Sequence, residues 1–340
     1  MKRHIVYKIL IKIPLFFILL SVSTSLMSAK DYPPIPYNAY NGPSIGGRAM
    51  AMGFAYSPVG GDPSTIVYNP AGLSDSGRDM ISFTYEAARQ SSLAYSQMFF
   101  SDTLKHHSLQ FIALVSDKSA FSWRPMANTT VTENDGTNWK ESEVKIDEYT
   151  VSAYHKSENG LKTGINISYL TGRIGQAGIE NGVPSTNLSD GRGMSMDLGF
   201  MIPLSGQIML GLSFENLLGN MWWDDYEKEQ LPFGLRGGFA FKISEQTLFA
   251  HELEKKYYRN ENPGPDETIR HYGIEQGFGG AVKLRFGMYG SDLNDMDTVH
   301  MTSGLGYEKE NYILSLAADK YKVTGFEVSK YVFSFDIPIK

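Results

Sequence analysis

Phe233-Gly234-Leu235-Arg236-Gly237-Gly238-Phe239-Ala240-Phe241-Lys242-Ile243 alternates between two kinds of side chain. Successive side chains of a strand point to opposite sides. Phe233, Leu235, Phe239, Phe241 and Ile243 therefore share one face of an extended chain, and Gly234, Arg236, Gly238 and Lys242 the other. The same reading holds where Val282, Leu284, Phe286 and Met288 oppose Lys283, Arg285 and Gly287. It holds again where Tyr331, Phe333, Phe335 and Ile337 oppose Lys330, Ser334 and Asp336. Such a segment can turn an apolar face to lipid and a polar face to a lumen. A soluble β-sandwich gives the same alternation, so the period alone leaves both open.

The links between strands separate the two. Working outward, the pattern predicts strands at 80–88, 93–101, 106–132 with a break, 141–157, 160–174, 193–204, 207–217, 232–243, 246–257, 269–277, 280–290, 298–308, 311–321 and 326–338. The links at 158–159, 205–206, 244–245, 278–279 and 309–310 are tight, whereas those at 133–140, 175–192, 218–231, 258–268 and 291–297 are long and polar. Up-and-down insertion of a barrel produces this alternation, with short periplasmic turns, longer outer loops and an even strand number; a Greek-key sandwich has no reason to. The fold class expected is all-β: a transmembrane antiparallel barrel of about 14 strands over residues 80–340.

Composition agrees. The 340 residues carry a net charge of −6 without charge blocks, which gives no nucleic-acid surface. Mean hydropathy is slightly negative despite a 13% aromatic content, which suits a barrel better than helical spans. Cysteine is absent, so disulfides, thiolate zinc and a thiol nucleophile are excluded. Lys2, Arg3, Lys8 and Lys12 precede an apolar run at 13–20, and small and polar residues lead to Ser28-Ala29. Residues 1–29 read as a cleaved signal peptide, although Met27 departs from the small residue favoured there and an uncleaved anchor stays open. Residues 30–79, rich in Gly, Pro, Ala and Tyr, read as a hatch that folds into or under the barrel mouth; a disordered tail is the alternative.

Within that segment stands Gly46-Gly47-Arg48-Ala49-Met50-Ala51-Met52-Gly53-Phe54-Ala55, followed by Asp62-Pro63-Ser64-Thr65-Ile66-Val67-Tyr68-Asn69-Pro70-Ala71-Gly72-Leu73. Small residues in the first stretch let backbone pack closely on a wall, and Asn69-Pro70-Ala71-Gly72 is a turn sequence. The pair resembles the N-terminal signature of the FadL superfamily of outer-membrane proteins, in its PorV/PorQ-like branch, with Gly47 standing where an Ala is usual. A weaker echo is His271-Tyr272-Gly273-Ile274-Glu275 with Leu284-Arg285-Phe286-Gly287. The resemblance covers the mature chain in layout and about fifty residues in motif detail. It implies a fourteen-stranded barrel whose hatch motif comprises Gly46, Gly47, Arg48, Ala49, Met52, Gly53, Asn69, Pro70, Ala71 and Gly72.

The fatty-acid transporters so resembled release substrate sideways where the third strand kinks. Here the third expected strand is interrupted at Ser116, Asp117 and Lys118, and Pro125 follows, which removes a ladder hydrogen bond. These four residues are the candidate lateral opening; an ordinary hairpin between two strands is the alternative. Trp222, Trp223, Tyr257, Tyr258 and Tyr307 read as interfacial girdle. Asp292, Asn294, Asp295 and Asp297 lack the Gly and bidentate Glu of a calcium loop, and His106-His107 and His251-Glu252 lack zinc spacing. With no nucleophile elbow or phosphate loop either, no enzyme, cofactor or metal is expected. The reading is an outer-membrane transporter that passes hydrophobic small molecules, long-chain fatty acids among them, by passive diffusion. The alternative is a PorV-like secretion or attachment component. Expected partners are outer-membrane lipid, a hydrophobic ligand, the barrel assembly machinery and, under the alternative, exported proteins.

Overall fold

The computed structural model describes residues 30–35, 39–40, 45–90, 105–134, 138–180, 182–258, 265–296, 298–323 and 326–339. Residues 31–340 form one unit, and of the other, 1–30, only Lys30 is described. The expected signal peptide, the expected strand at 93–101 and Asp297 lie outside the described residues.

Fourteen antiparallel strands close into a barrel. They are β1 (Met80–Gln90), β2 (Lys105–Val115), β3 (Ser119–Asn134), β4 (Trp139–Lys156), β5 (Lys162–Glu180), β6 (Val183–Pro203) and β7 (Ile208–Glu215). After a small accessory pair, β8 (Asn220–Trp223) and β9 (Glu229–Gln230), follow β10 (Phe233–Lys242), β11 (Thr247–Tyr257), β12 (Glu267–Phe278), β13 (Val282–Gly290), β14 (His300–Lys309), β15 (Tyr312–Val323) and β16 (Phe326–Pro338). β1 pairs with β16 from Met80↔Pro338 to Gln90↔Val328, which closes the wall. Closure leaves no unpaired sheet edge around the circuit except where a ladder is cut short.

Burial runs opposite to that of a soluble domain. Phe286 is 58% exposed, Phe333 43% and Leu114 48%, whereas Arg285, Ser334 and Asp336 are buried within the wall's inner face. The alternation read from 233–243 has this sense: Arg236 points inward and is buried, and Phe239 points outward. A closed belt of large apolar side chains on the outside is costly in water and stabilising in hydrocarbon.

The structure corrects three expectations. Residues 106–132 are two strands, β2 and β3, joined by a turn at 116–118 in which Ser116 N donates to Ser119 O at 2.8 Å. The count of fourteen is met with β2 pairing β1 directly. Residues 175–192 are not a loop but the ends of β5 and β6, paired from Lys162↔Met201 up to Glu180↔Val183. With β4 of 18 residues, β5 of 19 and β6 of 21, against 8 in β7 and 9 in β13, this sector rises beyond the rest of the wall as a fin on the long-loop side. Residues 218–231 carry β8, which folds back to pair with Gly191–Met194 of β6, and β9, which pairs with β8.

Residues 45–79 fold inside the lumen. They contain α1 (Gly47–Ala51), α2 (Thr65–Tyr68) and a 3-10 helix (Pro70–Asp75), all too short to hold themselves, so their order comes from wall contacts. Ala49, Met50, Ala51, Met52, Ala55 and Tyr56 are completely buried, packed with Ala240, Ala250, Ala317 and Val332 of the inner wall. Residues 31–35 and 39–40 lie toward the long-loop side. There Ile35 and Tyr40 pack with Trp223, Met221, Leu170 and Ile174.

Candidate functional site

The first motif is held by the last strands of the barrel. Gly46 takes φ +82° and turns the chain into α1, and Gly53 takes φ +60° to leave it. Gly47 N donates to Ser334 Oγ at 2.7 Å, and a Cβ there would stand 2.7 Å from Ser315 O, which is why Gly rather than Ala occupies this position. Arg48 Nε and Nη2 donate to Glu275 at 2.9 and 3.2 Å, its Nη1 donates to Gly60 O at 3.0 Å, and Arg285 Nε donates to the same Glu275 at 2.6 Å. Burial works against the Arg48 charge. Glu275, with Tyr56 and Asp62, outweighs it and raises the guanidinium pKa well above its ordinary value. His271 Nδ1 lies 2.8 Å from Gly53 O, and its Nε2 lies 3.1 Å from Glu254. A Cβ on Gly273 would stand 2.4 Å from Met52 O, and one on Gly287 2.2 Å from Gly53 N. The two echoes of the sequence, at 46–55 and at 271–287, are thus the two halves of one interface.

The second motif is seated across the lumen. Asn69 caps the 3-10 helix, its Oδ1 accepting from Ala71 N at 3.1 Å with Pro70 at the first helical position. Its Nδ2 donates to Ser57 O at 2.7 Å and to Phe200 O of β6 at 3.0 Å. Gly164 of β5 and Gly199 of β6 let Asn69-Pro70-Ala71 approach: a Cβ on Gly164 would meet Ala71 N at 2.4 Å. Tyr56 N and Ser57 N donate to Glu252 at 3.0 and 2.6 Å. Tyr56 OH donates to Asp62, and burial, then Asp62, pushes the phenol pKa well above its ordinary value. Glu252 is bound in turn by Arg236, which also pairs with Glu215 and Glu254 at 2.6 and 2.8 Å. Sequence reasoning quoted Glu275 within the weaker echo but gave Glu252 and Arg236 no part in holding this segment, because a charged residue at an inward position reads as lumen lining and its spacing carries no further signal.

Between this plug and the long-loop side lies a cavity of about 350 Å³. Phe54, Val67, Tyr68, Met126, Ile269 and Tyr289 give it apolar walls, and Arg124, Arg236, Lys256, His271 and His300 give it polar points. Tyr289 stacks on His300 at 4.3 Å and on His271 at 5.6 Å, so aromatic rings form one continuous side. Beside the cavity, among the described residues, part of β3 has no partner strand on its β2 side. The β2–β3 ladder holds only from Val115↔Ala120 to Ile112↔Trp123, while β3 stays paired with β4 on its other side as far as Asn134↔Trp139. Arg124 and Met126, which line the cavity, are the next residues of β3 after the last pair with β2.

Of the candidate lateral-opening residues, Ser116, Asp117 and Lys118 form the hairpin turn at the end of the barrel where both its termini lie. They do not interrupt a strand. The physical reason is that three polar residues suffice to reverse the chain. Pro125 does stand in the wall: the β3–β4 register shifts between Pro125 and Ala127, beside the unpaired edge. Trp222 is exposed as a girdle residue should be, but Trp223 faces inward, 3.4 Å from Glu229, to which Tyr40 OH also donates at 2.5 Å. His251 stacks on Tyr272 at 4.6 Å on the outer face. No cluster of metal-binding side chains occurs among the described residues.

Among solved structures the chain is similar to the Pseudomonas putida toluene transporter TodX, with a TM-score of 0.61 and 12% identity over 86% of this chain and 97% of that one. It is similar to the TodX deltaS2S3 mutant, a monoaromatic hydrocarbon channel, with a TM-score of 0.65 and 11% identity over 87% and 99%. The fold is theirs. A Pseudomonas aeruginosa FadL homologue matches at a TM-score of 0.52 and 11% identity over 91% and 99%. No family model and no curated protein matches the sequence.

Proposed function

We propose that this chain is an outer-membrane protein that passes hydrophobic small molecules, long-chain fatty acids among them, from the outside to its membrane by diffusion. The observation that carries the reading is the short β2–β3 ladder directly beside the amphipathic cavity. A solute leaving that cavity meets on one side a stretch of β3 that no described residue of β2 pairs with, whereas the plug below is fastened to both walls by hydrogen bonds. The sideways route therefore breaks fewer contacts than the route through the plug. The outer apolar belt supports a bilayer location. The similarity to a toluene transporter and to a monoaromatic hydrocarbon channel favours an apolar solute.

The test is uptake of radiolabelled long-chain fatty acid and of toluene by cells that lack the chain and by the same cells complemented with it. Faster uptake of either solute on complementation is expected, and equal rates for both would reject transport. The fin formed by β4–β6 exposes Trp139, Ile179 and Leu188 and favours a second reading, in which an exported protein docks there. Recovery of such a protein with the wild-type chain but not with a fin-shortened one would support it.

A further inference from the structure

The outer wall carries another hollow, of about 600 Å³, which transport does not use. Laterally paired, outward-facing residues make its two rows. Ile274, Phe286, Ser303 and Ala318 form the lower row, and Tyr272, Met288, Met301 and Lys320 the upper one, toward the long-loop rim. Large side chains on β12 and β13 fall away to Ser303 and Ala318 on β14 and β15, and that step in size makes the depression. Its walls are apolar except at the rim end, where Lys320 and, one outward position beyond Tyr272, Arg270 are exposed.

We propose that this hollow binds the acyl chain of a membrane lipid whose net-negative phosphate head is met by Arg270 and Lys320. The inference rests on the membrane location proposed above. On the fin strands two exposed cations are answered by acids, Lys145 by Glu143 and Arg173 by Asp190, each at 2.7 Å. Arg270 instead donates to Ser291 O at 3.2 Å, and Lys320 faces Met301 and Ser329 across its two ladders. Among the described residues neither forms an ion pair, so both charges are available to a head group lying above the apolar hollow. Cations at the rim above apolar side chains match the order in which a bilayer stacks phosphates above hydrocarbon.

Full-length protein in micelles doped equally with phosphatidylglycerol and phosphatidylcholine, read by native mass spectrometry, tests the assignment. The wild type should retain phosphatidylglycerol in preference. Arg270→Gln and Lys320→Gln should each lower that retention about fivefold, and Ser303→Phe or Ala318→Phe should abolish it by filling the hollow. Because both charges are exposed, their variants should melt at the wild-type temperature. Equal retention of the two lipids by the wild type, or wild-type retention by the variants, would overturn the proposal. Insertion into phosphatidylglycerol vesicles separates the two readings. Protein that inserts but shows no lipid preference rejects the hollow alone; protein that does not insert rejects the membrane location as well.

Discussion

At Gly287 the wall and the plug touch backbone to backbone, and no side chain fits between them. A Cβ there would lie 2.2 Å from Gly53 N and 2.5 Å from Met52 C, atoms that cannot step aside as the tip of a flexible side chain can. Gly287→Val should therefore destabilise the plug by about 1–3 kcal/mol, the range for overpacking a closed site. Limited trypsin cleavage after Arg48 would show it as faster cutting, while Gly206→Ala, in an open turn, should leave the rate unchanged. Tyr56 offers a pH test. Its buried phenol has a raised pKa in the fold, and the unfolded value is about 10. The folded state then holds the proton more tightly, so this contribution to stability is complete below about pH 10 and is lost as pH rises beyond it. Tyr56→Phe should flatten the alkaline arm of the denaturation profile relative to wild type, and an unchanged arm would show that the Tyr56 phenol titrates alike in the folded and unfolded states.

At the scale of strands, the short β2–β3 ladder is the feature that matters. Cysteines introduced at Ser108 and Asn128, on the separated parts of the two strands, can be bridged by a bifunctional thiol reagent without interference, because the chain has no cysteine of its own. Bridging should slow uptake at least severalfold and reduction of the bridge should restore it; uptake that ignores the bridge would place the route elsewhere. This gap was only half legible in the sequence. Pro125 marks it, since a residue without an N–H cannot complete a ladder. A gap, however, is missing pairing between two strands and belongs to no residue. The interruption at 116–118 reads equally as a kink and as a turn, and only the partner strand decides between them. Strands with one apolar face, such as 233–242 and 326–338, were readable from their period. The tips of β5 and β6 were not, because Val183–Leu188 are all exposed and alternation there has no burial to enforce it.

For the molecule as a whole, the plug ties opposite walls together. Its first motif is fastened to β12–β16 through Ser334, Glu275 and His271, its second to β5 and β6 through the Gly164 and Gly199 approaches and Phe200, and Tyr56 and Ser57 between them to Glu252 of β11. Both motifs were legible as turn-rich, small-residue stretches, and Gly273 and Gly287, which receive the first, stand in the weaker echo, but Gly164 and Gly199, which receive the second, carry no local signature. Bracing of this kind makes the closed lumen a property of the assembly, so loosening either seat should open it. Arg48→Ala removes the side chain that joins Glu275 to Gly60 and leaves the Glu275–Arg285 pair to hold the wall. Asn69→Ala removes the link between Ser57 and Phe200 and takes the side-chain donor from the buried Ser57 carbonyl, a cost of about 1–3 kcal/mol. In planar bilayers the wild type should conduct little, each single variant should flicker, and the double variant should show steady ion conductance, because a plug released at both ends no longer fills the lumen. If the double variant stays as closed as the wild type while each seat is shown by proteolysis to be loose, the plug is kept in place by its apolar packing, and the polar ties set only its register.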